Sequence, residues 1–188
     1  MNSLSSNNIS RRKALGGLAS LATISIVPSR VLGLNGQTAP SNQLTRAILG
    51  CGGISNSHLG MPGKILALCD VDSNRLKGQM AKVQGRGNKD VKGYHDFRDV
   101  IARDDVDIIH TCTPPHWHAH MAIAAAQAGK AIWGEKPMSR TIGEGMAMKK
   151  EIEKAGVAFR INTWFRFKSN FYGSGVTARQ VKKAVDGG

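Results

Sequence analysis

A chain of 188 residues with 41% hydrophobic content has material for one ordinary domain and little more. The formal charge is +13, from 26 Lys and Arg against 13 Asp and Glu. The cations fall in short pairs such as Lys149-Lys150 and Lys182-Lys183, with no arginine-rich run or basic–aromatic stripe. That argues against nucleic acid and for solvated helix faces. The three cysteines, Cys51, Cys69 and Cys112, are too few for a disulfide framework. Buried free thiols are expected, with a chance oxidised pair left open.

In chain order, Ser10-Arg11-Arg12-Lys13-Ala14-Leu15 precedes an uncharged apolar stretch over residues 18–28. A charged start before a short apolar run is the signal-peptide pattern. It is shorter than the ~20 residues a membrane span needs, so no membrane span is expected. The arginine pair resembles the twin-arginine export signal, with Ala14 where phenylalanine is usual. Residues 1–33 are expected to be a signal peptide, cleaved after Gly33, for a periplasmic or exported protein. An amphipathic or disordered tail is the alternative. Residues 34–43 are polar and turn-rich and read as a linker.

From residue 44 to 165 short apolar runs alternate with helical periods. The expected strands are 46–49, 64–69, 91–94, 107–111, 131–134 and 157–161. The expected helices are 53–59, 73–84, 97–102, 117–128 and 141–155. Ser73 and Thr141 are N-cap candidates, the latter with Glu144 three residues on. Gly129 and Gly156 sit where C-terminal caps belong. The alternation predicts an α/β domain with a doubly wound parallel sheet of the Rossmann type.

Three segments carry chemistry. The first, R-A-I-L-G-C-G-G-I-S over 46–55, puts Gly50, Gly52, Gly53 and Ile54 between a strand and a helix start. Free N–H groups and the helix dipole there favour an anion such as a pyrophosphate. Ser55 takes the place of the third fingerprint glycine, where a small residue suits close packing. The second is Asp70, which ends a strand 20 residues past Gly50. A carboxylate there accepts from a ribose diol and repels a 2′-phosphate, which favours NAD over NADP. Arg75 nearby keeps NADP open. Tight-turn and capping chemistry is the competing reading, and Asp72 alone would satisfy it.

The third segment holds His110, His116, His118 and His120, with Cys112 among them. His116 and His120 would share a helix face, so metal binding is an alternative. No H-E-x-x-H is present. Pro114-Pro115 places these residues at a helix start on the cofactor edge of the sheet, which favours cofactor or substrate contact. Beyond it G-E-K-P, residues 134–137, sets Lys136 at a strand end.

T-P-P-H-W-H over 113–118, the run A-x-x-A-A-Q-A-G-K and G-E-K-P together resemble the glucose–fructose oxidoreductase / inositol 2-dehydrogenase / MocA family, over roughly residues 44–168. The resemblance implies an NAD(P)-dependent oxidoreductase acting on a sugar, cyclitol or related diol. Thr113, Pro114 and His118 match the family's loop over the cofactor. Glu135 and Lys136 match its nicotinamide end, and Arg166 matches the crossover into a second domain. Hydride chemistry on an alcohol needs a group to manage the hydroxyl proton, and Lys136 is the candidate. Members continue into a long substrate-binding domain and form homo-oligomers. Residues 166–188 are therefore expected to be the crossover and start of that domain, and the chain a cofactor-binding fragment inactive by itself. A noncatalytic NAD-binding module and an NAD-dependent glycoside-cleaving enzyme remain as alternatives.

Overall fold

The computed structural model describes residues 42–163 and 178–187. The export signal, nearly all of the linker, and Arg166 lie outside the described residues. Six strands form one sheet: β1 (Thr45–Leu49), β2 (Lys64–Cys69), β3 (Lys92–Tyr94), β4 (Ile108–Thr111), β5 (Ala131–Glu135) and β6 (Phe159–Asn162). Their order is β3-β2-β1-β4-β5-β6, and every pairing is parallel. The helices are α1 (Ser55–His58), α2 (Ser73–Gly85), α3 (Phe97–Ile101), α4 (Pro115–Gln127), α5 (Ile142–Ala155) and α6 (Ala178–Asp186).

Side-chain alternation splits the core between the two sheet faces. Ala47, Leu49, Ile109 and Ile132 pack with Val100 of α3, the alanines of α4 and Met148 of α5. Ile48 and Leu68 pack on the other face with Leu76 and Val83 of α2. An irregularity between Arg46 and Ala47 shifts the register, so Ile65 and Leu68, three apart, share this second face. Burial on both faces is what a parallel sheet requires.

Several boundaries differ from expectation. Asp72, not Ser73, caps α2, because its carboxylate reaches the N–H groups of Asn74 and Arg75. Helix α4 begins two residues early, at Pro115, since proline tolerates the first helical position. Helix α1 is a single turn. Gly52, Gly53 and Ile54 turn before it, and Gly60-Met61-Pro62-Gly63 follows it. Strand β6 starts and ends later than expected, and β5 runs on to include Glu135. Helix α6 lies within residues 166–188, the stretch expected to begin a second domain. Thr141 and Glu144 form the full capping box, and Gly156 closes α5 at φ +66. Gly129 also takes a positive φ, +71, after α4.

Candidate functional site

The progression of strand order reverses between β1 and β4, the switch point where ligands of open α/β sheets bind. A cleft of about 710 Å³ opens there. Gly50, Gly52, Gly53, Ile54, Asp70, Thr113 and Pro114, all expected at a cofactor, line it together. Arg75, Phe97 and Trp117 complete the wall.

The glycine loop is tightly registered. Gly50 donates its N–H to Cys69 O at 2.8 Å, and Cys112 donates to Leu49 O at 2.7 Å. Gly50 has φ +93, and a Cβ on it would lie 2.7 Å from the carbonyl of Cys112. Asp70 holds the loop from beside it. Its Oδ2 accepts from Cys51 N–H at 2.7 Å, and its Oδ1 from Asp72 N–H at 2.9 Å. Among the described residues, the N–H groups of Gly52, Gly53 and Ile54 have no hydrogen-bond acceptor. They are therefore free to take a phosphate oxygen.

Two expectations about this loop are corrected. A four-residue helix carries little macrodipole, so the anion-binding character rests on these N–H groups rather than on α1. Ser55 is more than a small substitute for glycine. Fully buried, it donates to Gly52 O at 2.6 Å and accepts from Gln79 Nε2 at 2.8 Å, stitching the loop to α2. Arg75 pairs with Asp72 at 3.5 Å, and its Nη1 lies 3.7 Å from where a Gly52 Cβ would stand. It thus arches over the phosphate end of the cleft.

The strand ends beyond are held by residues expected to touch the cofactor directly. His118 is buried and lies between two carbonyls, Pro137 O at 2.7 Å and Thr113 O at 2.8 Å. Rather than lining the cleft, it clips the Thr113 loop to the Lys136-Pro137 turn. Glu135 is likewise turned inward. Its Oε1 lies 2.8 Å from His58 Nε2 and also accepts from Asn162 Nδ2. Its Oε2 accepts from Lys136 N–H at 3.3 Å. Lys136 itself stands exposed at the end of β5, outside the cleft lining.

His58 Nδ1 lies 2.9 Å from His110 Nδ1. Burial first, then the neighbouring His58 and Arg46, pushes His110 down to about 3. His110 therefore stays neutral in the fold. Arg46, also buried, donates to the carbonyls of Gly63, His58, Leu59 and Met61 at 2.6–3.3 Å. It satisfies the C-terminal end of α1 and fixes the turn that follows.

The histidine group expected as one cluster is thus divided. His110 lies under the sheet and His118 clips two loops. His116 and His120 are exposed beside Trp117. Among the described residues, no three metal-ligating side chains converge. Burial pushes the thiols of Cys51 and Cys69 up to about 12 and raises that of Cys112 as well, so these free, buried cysteines hold their protons. No helix of the described residues is long and apolar enough to cross a membrane.

Sequence reasoning missed Arg46, His58 and Asn162. Arg46 left a readable signal, a charge inside the apolar strand R-A-I-L. His58 and Asn162 left none, because each meets Glu135 only in the tertiary structure.

The model of the Gfo/Idh/MocA oxidoreductases, with an NAD-binding Rossmann fold, matches residues 44–163. D-apiose dehydrogenase of Paraburkholderia graminis is 29% identical over 142 residues, 72% of this chain and 36% of that protein. A glycosyl hydrolase family 109 protein of Solibacter usitatus is 32% identical over 149 residues, 71% of this chain and 34% of that protein. The WlbA dehydrogenase of Bordetella pertussis, solved with NADH and UDP-GlcNAcA, aligns with TM-score 0.64 at 26% identity. That alignment covers 78% of this chain and 40% of the enzyme. The chain therefore spans roughly a third to two fifths of the length of these relatives.

Proposed function

Because this chain belongs to the Gfo/Idh/MocA oxidoreductase family, we propose that it is the cofactor half of an NAD-dependent dehydrogenase acting on a sugar, cyclitol or related diol. The observation that carries this reading is Asp70, which lies in the same cleft as the free N–H groups of Gly52, Gly53 and Ile54. Those three groups suit a pyrophosphate, and the carboxylate suits a ribose diol. When bound, NAD accepts or returns a hydride at its nicotinamide ring. Lys136 is proposed to hold the substrate hydroxyl and move its proton. His118 and Glu135 act indirectly, by fixing the turn on which Lys136 stands.

Lys136→Ala should leave NADH affinity within a few-fold. In the full-length enzyme it should lower NAD reduction across a panel of sugars and cyclitols by at least ~100-fold, the low end of general acid–base catalysis. Near-normal turnover would return Lys136 to the role of a solvated residue before a turn. The family 109 relative favours a second reading, glycoside cleavage through transient oxidation with tightly held NAD. It is distinguished by sugar release without net NADH formation.

Arg11 and Arg12 lie outside the described residues and support a further proposal, export of the folded protein. Replacing both by lysine should hold the precursor in the cytoplasm. Continued export of that variant would point to another route.

A further inference from the structure

We infer that His58 is a positioning residue for Lys136: the buried chain His110–His58–Glu135 ties the helix after the glycine loop to the strand end that carries the lysine. The inference rests on the proposed role of Lys136 and adds to it a coupling between the two ends of the cofactor site.

Buried hydrogen bonds hold the arrangement. Three donors surround the Glu135 carboxylate: Lys136 N–H on Oε2, and Asn162 Nδ2–H and His58 on Oε1. Glu135 can only accept, so His58 presents Nε2–H to it. His58 Nδ1 lies 2.9 Å from His110 Nδ1, so one ring donates and the other accepts. His110 stays neutral through burial and can take either part. His58 and Glu135 are 77 residues apart in sequence, and at most 4% of either side chain is exposed. Such a buried bond is undiluted by water.

The backbone of His58 is fixed as well. Arg46 Nη1 donates to His58 O at 2.6 Å. His58 lies four residues past Ile54, whose N–H is free for phosphate. A shift of the loop on binding phosphate thus moves His58, then Glu135, then the Lys136 N–H. Residues at opposite ends of the cofactor site respond together.

The test is hydrogen exchange at the Lys136 amide in the 188-residue chain, with and without NADH. Glu135→Gln keeps shape but turns an amide N–H₂ toward one of three donors. Exchange at Lys136 should rise about tenfold or more, as expected when a charge-assisted bond is lost. His58→Phe should do the same and abolish the slowing by NADH expected in the wild type. His58→Gln should restore both, because its Nε2 donates to Glu135 and its Oε1 accepts from His110. The Ile132 and Trp133 amides, inside β5, should stay within about twofold, which a general loss of stability would not allow.

Unchanged exchange at Lys136 in Glu135→Gln and His58→Phe overturns the inference. So does uniform loosening of β5. If His58→Phe fails to fold, Glu135→Gln and His58→Gln decide. If the wild type fails to bind NADH, the cofactor reading falls, and positioning is judged on the NADH-free rates alone.

Discussion

Gly50→Ala should destabilise the domain by at least about 3 kcal/mol, combining the cost of a left-handed backbone with overpacking. It should also weaken NADH binding by at least about 100-fold, because it damages the loop whose N–H groups face the phosphates. The new Cβ would sit 2.7 Å from Cys112 C and O and 2.8 Å from Thr113 N. These are backbone atoms of β4 and the loop after it, so no rotamer change relieves the clash. The loop must leave φ +93, or β1 and β4 must part, breaking the 2.7 Å bond from Cys112 to Leu49. Gly60→Ala is the control, since a Cβ there meets nothing within 4 Å and Gly60 lies outside the cleft lining. Urea denaturation and NADH titration of both variants decide the matter. A Gly50→Ala protein with wild-type stability and affinity would show that the loop does not lie where described.

Acid should destabilise the fold through His110. Its folded pKa is about 3, against 6.5 for an ordinary histidine. Between those values the unfolded chain takes up a proton that the folded protein refuses. Stability is therefore complete above pH 6.5 and is lost as the pH falls toward 3. At 1.36 kcal/mol per unit, the drop from pH 6.5 to 5 should be roughly 1.5–2 kcal/mol. Carboxylates bind few protons in that window, so the slope belongs to histidine. Denaturant titrations at several pH values give the slope, and His110→Gln should flatten it. A flat wild-type profile over this window would mean that His110 is hydrated.

The sequence made the loop, Asp70 and the strand ends legible because each depends on local pattern. Glycines after an apolar strand, and an acid at the next strand's end, are spaced by the βαβ unit itself. Side-chain direction was the harder part. His118 and Glu135 were placed at the right edge of the sheet, yet both point inward to hold loops rather than outward to a ligand. One residue of strand length decides such a choice, and β5 runs one residue past its expected end, to Glu135. His58 was unreadable, since its partners His110 and Glu135 come from distant strands. Ser55 looked like a tolerated substitute for glycine, and only its bond to Gln79 shows why serine stands there.

The cleft is proposed to hold NAD with its adenosine ribose on Asp70. The direct measurement is a calorimetric titration of the 188-residue chain and its Asp70→Ala variant with NADH and NADPH. The wild type should prefer NADH by at least about tenfold, the worth of one hydrogen bond to a charged group. Asp70→Ala should bind NADH more weakly and lose most of that preference. Part of the weakening will come from the freed Cys51 N–H, but the loss of preference will not. Failure of the wild type to bind NADH, or an unchanged NADH-to-NADPH ratio in Asp70→Ala, would contradict the account.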